Sequence, residues 1–412
     1  MSLSTHFGKP TLISEISTPV VVLQGVRDPV QQSGVAVARS LGRLGVAVYG
    51  VFATDGAAGR HSKYIRGEVL LDLQRDGARQ SVNTLERLSR EIGRQPLLIP
   101  TDDLAALFVA ANDSILREKF GLPLQPSGLV HKLADKGKLW ELCRQHKIPA
   151  PNSWLVGSAH ELAEAAREAS FPLVLKSLDP AVMRKNPRAR SVSIIYSASQ
   201  LEEQYEVMQV PGASNLMVQE YIPGGSTAVW MFNGYFNAAS DCLFGMTGRK
   251  LRQAPLETGA TTLGVCVTNA DVQRLAQSFL RAVGYRGIVD MGFRLDPRDG
   301  MYKLLDVNPR IGATFRLFVS PAGMDVARAL YLDSTGQHVG TQPRSDGRKW
   351  IVEMRDSRSA WQLHKARQLS ISEWARSLRG VDEAAWFAAD DLGPFFAMLK
   401  QYARAASLRL FR

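Results

Sequence analysis

The most constraining stretch of this 412-residue chain runs Gly287-Ile288-Val289-Asp290-Met291-Gly292-Phe293-Arg294-Leu295-Asp296. It is followed by the turn Pro297-Arg298-Asp299-Gly300 and by Lys303-Leu304-Leu305-Asp306-Val307-Asn308-Pro309-Arg310. Two strand-like runs around a Pro/Asp/Gly turn predict a β-hairpin. Alternate residues of a strand share a face, so Asp306, Asn308 and Arg310 project together, as do Asp290 and Asp296 on the partner. Carboxylate, carboxamide and guanidinium on one face suit a magnesium-bound nucleotide: the oxygens hold a hard cation and the arginine neutralises phosphate. A merely solvated hairpin face would show the same alternation, so the rest of the chain has to decide.

Composition removes several alternatives. Hydrophobic residues make up 45% and charged residues 22%, an ordinary globular balance that excludes a disordered or fibrous chain. No apolar run approaches the roughly 18 residues a membrane helix needs, and the opening MSLSTHFGKPTLISEIS lacks a signal-peptide core. A cytoplasmic protein is therefore expected. Cys143, Cys242 and Cys266 are too few and too scattered for a disulfide framework or a CxxC site, and the seven histidines contain no HExxH. The net charge of +11 favours an anionic partner: nucleotide phosphates, nucleic acid or an anionic membrane surface. No nucleic-acid-binding signature accompanies it, so no specific nucleic acid is expected.

Along the chain, Pro19-Val20-Val21-Val22-Leu23 reads as a buried parallel strand, Ser33 to Leu44 as a helix closed by Gly45, and Val46 to Phe52 as a second strand. Pro96 to Pro100 is another short strand, with Thr101-Asp102-Asp103 capping the helix after it. This alternation predicts a parallel sheet whose strand C-termini face a ligand. Neither GxGxxG nor GxxxxGK[ST] occurs here. From about residue 128 the pattern changes. A helix carrying Ala134-Asp135-Lys136 runs to Lys147, then helices and strands alternate through Leu173–Lys176, a basic loop at 183–190, Val192–Tyr196 and Leu216–Ile222. Antiparallel strands are expected around 228–244, a helix near 271–283, and a helical, Arg- and Trp-rich remainder from about 341.

In this order and spacing the motifs resemble the ATP-grasp superfamily over about residues 128–335. Asp306-Val307-Asn308-Pro309-Arg310 is similar to the E-x-N-x-R end of that fold's metal hairpin, seen in biotin carboxylase, carbamoyl-phosphate synthetase and D-alanine–D-alanine ligase. Asp135-Lys136 resembles the D-K that places a lysine on ATP phosphate. Pro172 to Lys176 resembles the strand carrying the second nucleotide lysine, and Gln219-Glu220-Tyr221-Ile222 the hinge whose backbone pairs with adenine. The resemblance implies a mixed α/β and α+β chain: a parallel pre-ATP-grasp domain (1–127), a two-subdomain ATP-grasp domain (128–340, lid about 150–222) and a helical basic extension (341–412). It implies ATP and Mg²⁺, with Mn²⁺ as a substitute, the metal held by Asp290, Asp306 and Asn308.

Some positions depart from the family pattern. Gly292 stands where the first hairpin strand usually supplies a ligand, and Asp290 is expected to replace it. The basic loop at 183–190 has no glycine where the family often has a glycine-rich flap, and Thr227 stands where a ribose-binding acid is expected. Arg249-Lys250-Leu251-Arg252, followed by Thr258-Gly259, reads as a cation cluster for a substrate carboxylate or acyl phosphate, with Lys250 and Arg252 joining Arg310 as catalytic candidates. The closest branch is the carboxylate–amine ligases related to D-aspartate ligase. The expected function is amide or peptide-bond formation through an acyl phosphate, from a small carboxylate and an amine, in envelope or peptide-like metabolite synthesis. A carboxylase- or carbamoyl-type enzyme, or a non-catalytic nucleotide- or nucleic-acid-binding module, stays open, as does homo-oligomerisation. The tail from Phe395 to Arg412 has Lys400, Arg404, Arg409 and Arg412 interleaved with apolar residues, which would let it lie on an anionic membrane.

Overall fold

A computed structural model of the chain describes residues 15–178, 192–210, 215–256, 259–341, 343 and 345–410. The basic loop at 183–190, Thr258, Phe411 and Arg412 lie outside these residues. The N-terminal part is a parallel sheet of β1 (Val20–Gln24), β2 (Val48–Phe52), β3 (Ile65–Leu70) and β4 (Leu97–Pro100), ordered β3-β2-β1-β4. Every residue of β1 is buried, as a central strand covered on both faces must be. At the C-terminal edge of this sheet Asp102 caps the helix Asp103–Ala111 by accepting from the Ala105 amide at 2.9 Å. Its other oxygen accepts from the Gly25 amide at 2.7 Å, so one carboxylate ties the β1 and β4 loops together.

The second unit is antiparallel: β5 (Ser153–Val156), β6 (Leu173–Ser177), β7 (Val192–Ile195) and β8 (Leu216–Glu220), ordered β5-β8-β6-β7. Helices Ala159–Glu168 and Ala198–Met208 cover one face, where Leu162, Leu201, Tyr205 and Met208 pack against Leu173, Leu175 and Val218. Strand alternation puts Lys176 and Gln219 on the opposite, uncovered face.

The third sheet has seven strands: β9 (Val229–Phe236), β10 (Cys242–Ala254), β11 (Ala260–Cys266), β12 (Gly287–Leu295), β13 (Tyr302–Asn308), β14 (Lys349–Ile351) and β15 (Val381–Ala384). Their order is β13-β12-β9-β10-β11-β14-β15, antiparallel except for the last pair. Val289, Met291 and Phe293 of β12 turn inward onto the helix Ala270–Ala282, which sends Ile288 and Asp290 to the other face.

Two expectations are revised. The helix expected through Lys136 is broken at Asp135, whose carboxylate caps a new helix, Lys136–Gln145, by accepting from the Lys138 amide. Lys136 therefore opens a helix instead of lying in the middle of one. The C-terminal extension is helical over Glu353–Lys365, Ile371–Ser377 and Gly393–Leu410, but it also supplies β14 and β15 to the large sheet. Much of the apolar side of its last helix is used within the protein: Met398 is fully buried, Phe395, Leu399 and Tyr402 pack on the same core, and Gln401 donates to the Gly56 carbonyl at 2.8 Å, while Phe396 is exposed. The expected membrane contact gains no support from this packing. Among the described residues no helix is long and apolar enough to cross a membrane.

Candidate active site

Strand register builds the site. β12 and β13 pair Asp290 with Asn308 and Gly292 with Asp306, so both carboxylates and the carboxamide occupy neighbouring positions of one ribbon face. The Asn308 side-chain amide lies 3.4 Å from Asp290 Oδ2. Each carboxylate is seated against a glycine: a Cβ at Gly292 would overlap the Asp306 carboxylate, and one at Gly312 would overlap that of Asp290. The glycine that seemed to cost the site a ligand thus makes room for one. Beyond Asn308, Arg310 donates from Nη2 to Asn308 Oδ1 at 3.2 Å and from Nε to Asp103 Oδ1 at 2.7 Å. Asp103 belongs to the N-terminal unit, where the sequence places Asp102-Asp103 at a strand C-terminus, the end of a parallel sheet that commonly meets a ligand.

The lysines face this ribbon from other elements. Lys176 of β6 donates to Gln219 Oε1 at 2.5 Å, and Gln219 in turn donates to Ser153 Oγ at 2.9 Å, so the Gln219 side chain orients a lysine. Lys136 donates to the Ser177 carbonyl at 3.2 Å, which brings the two lysines side by side. Lys250 of β10 donates to the Gly259 carbonyl at 2.8 Å. Among the described residues none of these three lysines has a carboxylate within ion-pair distance.

The electrostatics follow from that arrangement. Burial pushes the Lys176 ammonium down to about 8, and the neighbouring charge of Lys136 adds to the shift against the opposing pull of Asp306. Burial also lowers Lys136 and Lys250, with Asp306 opposing in both cases. Asp290 is pushed up to about 6, first by burial and then by Asp306, against the attraction of Arg310 and Lys250. Asp306 is thus felt by all three lysines and by Asp290, which places the three cations and the hairpin carboxylates in one electrostatic neighbourhood. Such a cluster sets cations with no anionic partner opposite oxygens with a proton-raising environment. A polyanion carrying a divalent cation satisfies both at once.

The donor set suits a hard cation. Asp290, Asp306 and Asn308 offer oxygens, which magnesium prefers, and the two glycine seats leave the carboxylates space at the ribbon surface. No group of three His, Cys, Asp or Glu side chains placed to hold a metal occurs among the described residues, so the hairpin offers two carboxylates and one carboxamide. A site keeping several waters and substrate oxygens, as magnesium sites on phosphates do, needs no more.

One expected catalytic residue is placed differently. Arg252 is not beside Lys250. Its Nε and Nη2 both donate at 2.8 Å to Asp356, its Nη1 to Ser377 Oγ at 2.7 Å, and it is 5% exposed. A bulge between Lys250 and Arg252 redirects the side chain toward the C-terminal segment, where the bidentate buried pair with Asp356 satisfies its charge. Glu220 ends β8 but is engaged by Arg298 at 2.6 Å and Lys303 at 3.8 Å, with Asp296 holding the same two cations. This cluster ties the hinge to the base of the hairpin. Ile222 is buried behind it, and Tyr221 is half-buried.

Comparison with known proteins agrees with the geometry. No family model matches the chain. A D-aspartate ligase of Enterococcus faecium (strain Aus0004) is 24% identical over 312 residues, 71% of this chain and 72% of that protein. Among solved structures, an L-amino acid ligase from Bacillus licheniformis superposes with a TM-score of 0.61 at 14% identity, covering 82% of this chain and 79% of the other. The N5-carboxyaminoimidazole synthetase of Staphylococcus aureus, complexed with ADP, gives 0.60 at 13% identity over 83% and 82%. The biotin carboxylase domain of the Hydrogenobacter thermophilus 2-oxoglutarate carboxylase, bound to MgADP, gives 0.59 at 15% identity over 80% and 72%.

Proposed function

We propose that this chain, an ATP-grasp protein by fold, is an ADP-forming ligase that joins a carboxylate to an amine. The observation that supports the reading is that Asp306, which shares one hairpin face with Asp290 and Asn308, lies close enough to Lys136 and Lys176 for both lysines to feel its charge. The relatives named as D-aspartate ligase and L-amino acid ligase support the amide-forming branch over a carboxylase or a binding module. Anionic-membrane contact forms no part of it, since most of the described apolar residues of the last helix pack on the protein's own core.

In this reading Lys136 and Lys176 hold the polyphosphate from the lid side, and the Gln219–Ser153 chain fixes the direction of the Lys176 ammonium. A magnesium ion held by Asp290, Asp306 and Asn308 would supply charge neutralisation for the polyphosphate. Arg310, anchored by Asp103 and Asn308, presents its remaining donors where negative charge accumulates. Its guanidinium stays charged: burial works against the charge, but Asp103 and Asp290 outweigh it. A substrate carboxylate oxygen attacks the γ-phosphorus and the bond to the bridging oxygen of ADP breaks. The amine nitrogen then attacks the acyl carbon, phosphate leaves, and the nitrogen gives up a proton. Lys250, beside Asp290 and Asp306, is placed to steady the departing phosphate. The β5–β8 sheet serves as a lid that keeps water from the acyl phosphate. The backbone at Glu220, Tyr221 and Ile222 borders the end of the cleft where the adenine would lie, with Glu220 locked to the hairpin.

The test is isotopic. With an ¹⁸O-labelled carboxylate and an amine, the reading predicts one labelled oxygen in the released phosphate for each amide formed, together with one ADP. ATP hydrolysis that leaves all label in the carboxylate contradicts it.

A further inference from the structure

Asn233 of β9 is fully buried and stands directly opposite Asp290 of β12, which in turn stands opposite Asn308 of β13. The three side chains therefore form one row across three strands, on the face that carries the hairpin carboxylates. The rest of Asn233's surroundings on that face are apolar. Met231 and Tyr235 flank it along β9, Met246 faces it from β10, and all three are buried. The Tyr235 hydroxyl is spent elsewhere, donating to Asp333 at 2.6 Å. Leucine would suit such a position, so a carboxamide there calls for a reason other than packing.

The orientation of the carboxamide supplies that reason. Its Nδ2 lies among acceptors: the Val289 carbonyl at 3.4 Å and the Asp290 carboxylate, with which it hydrogen-bonds. Its Oδ1 is buried and has no hydrogen-bond partner. Turning the group over would set an oxygen against the carboxylate. A buried acceptor without a partner is costly, and here it is what the position gives up to keep an N–H on Asp290. From the other side of Asp290, Asn308 offers a contact of 3.4 Å, and its oxygen already accepts from Arg310.

We propose that Asn233 is a positioning residue for the divalent cation: it grips the Asp290 carboxylate from the β9 side and holds it in the orientation that ligates. It acts through its N–H and is not itself a ligand. The inference rests on the metal site of the ligase reading and adds to it the residue that lets Asp290 serve where Gly292 contributes no ligand. Hydrogen bonds from neighbouring side chains commonly fix the direction of a ligating carboxylate, and their removal weakens metal binding without removing any ligand.

Titration of the full-length protein with ADP, with and without Mg²⁺, tests it in the parent, Asn233→Leu, Asn233→Asp and Asp290→Ala. Leucine suits the apolar neighbours but has no donor, and aspartate keeps the shape and an oxygen but loses the N–H. The gain in ADP affinity on adding Mg²⁺ should fall at least fivefold in both Asn233 variants, while metal-free ADP affinity stays within twofold of the parent's. Mn²⁺ binding in the presence of ADP, read by electron paramagnetic resonance, should weaken by at least the same factor. A full magnesium gain in either variant overturns the assignment. An equal loss of ADP affinity with and without the metal also overturns it, because a purely structural role produces that pattern. Should Asn233→Leu fail to fold, Asn233→Asp alone decides. The two readings fail separately. A magnesium gain that Asp290→Ala abolishes and both Asn233 variants keep removes Asn233 and leaves the metal hairpin. A parent whose ADP affinity ignores Mg²⁺, or an Asp290→Ala variant that keeps the full gain, removes the hairpin site as read here.

Discussion

Lys176 shows what the cleft costs the protein when no anion meets it. Its ammonium, at about 8 in the folded chain, sits well below the ordinary lysine value of 10.5 because burial and Lys136 both work against the charge. Between those two values the unfolded chain holds a proton that the folded chain has released, so this group's contribution to stability rises as the pH climbs through that window. Below pH 8 the full penalty applies, on the order of 3 kcal/mol. Lys176→Met should therefore stabilise the nucleotide-free protein at pH 7 by about 1–3 kcal/mol, and by much less at pH 10. It should also weaken ATP binding at least tenfold. Urea unfolding at the two pH values and calorimetric titration with ATP check both halves, and a variant that is less stable at pH 7 or binds ATP normally contradicts this account. That a lysine ending the apolar run Leu173–Leu175 needs an anion was legible in the sequence, since burying an unpaired ammonium is costly. That Gln219 would orient it was not, because the two meet only through the β6–β8 register.

At the scale of elements, local patterning and long-range pairing divide the labour. The hairpin, the Asp102 cap and the three strands carrying Lys176, Gln219 and Asp306 follow from alternation and capping chemistry within a few residues. What escaped such reading lies in register: the bulge in β10, and the glycine seats that hold Asp306 and Asp290. Arg252 is the clearest case. Its sequence neighbours suggest a cation cluster, whereas its partner Asp356 is 104 positions away, on the helix that follows β14. Both groups are almost fully buried, and Thr262 and Trp374 also donate to the same carboxylate. Arg252→Ala strands a buried carboxylate, so it should lower stability by about 3–5 kcal/mol. The folded fraction should retain kcat near that of the parent. Denaturant unfolding and turnover at low temperature separate the two effects, and a variant that folds normally but loses turnover would return Arg252 to the chemistry.

On the scale of the whole molecule, the proposed active face is composite. The N-terminal sheet contributes Asp103, the antiparallel lid contributes Lys176, the seven-stranded sheet contributes the metal hairpin and Lys250, and Lys136 opens the helix between the first two units. The C-terminal segment completes the large sheet and holds the N-terminal unit through the buried Arg39–Asp391 pair at 2.9 Å. Order and spacing of motifs sufficed to foresee the ATP-grasp architecture, because each motif sits at the end of a strand or the start of a helix. They could not foresee that the C-terminal part adds strands, since β14 and β15 are only three and four residues long and carry no sustained alternation. The central claim is that the hairpin ribbon and the lid lysines hold one magnesium-bound triphosphate between them. Calorimetric titration of ATP with and without Mg²⁺, into the parent protein and Asp306→Ala, tests it most directly. The account predicts that Mg²⁺ strengthens binding to the parent at least tenfold, that Asp306→Ala erases this gain, and that its unfolding midpoint is unchanged or higher. Equal magnesium dependence in the two proteins would contradict it.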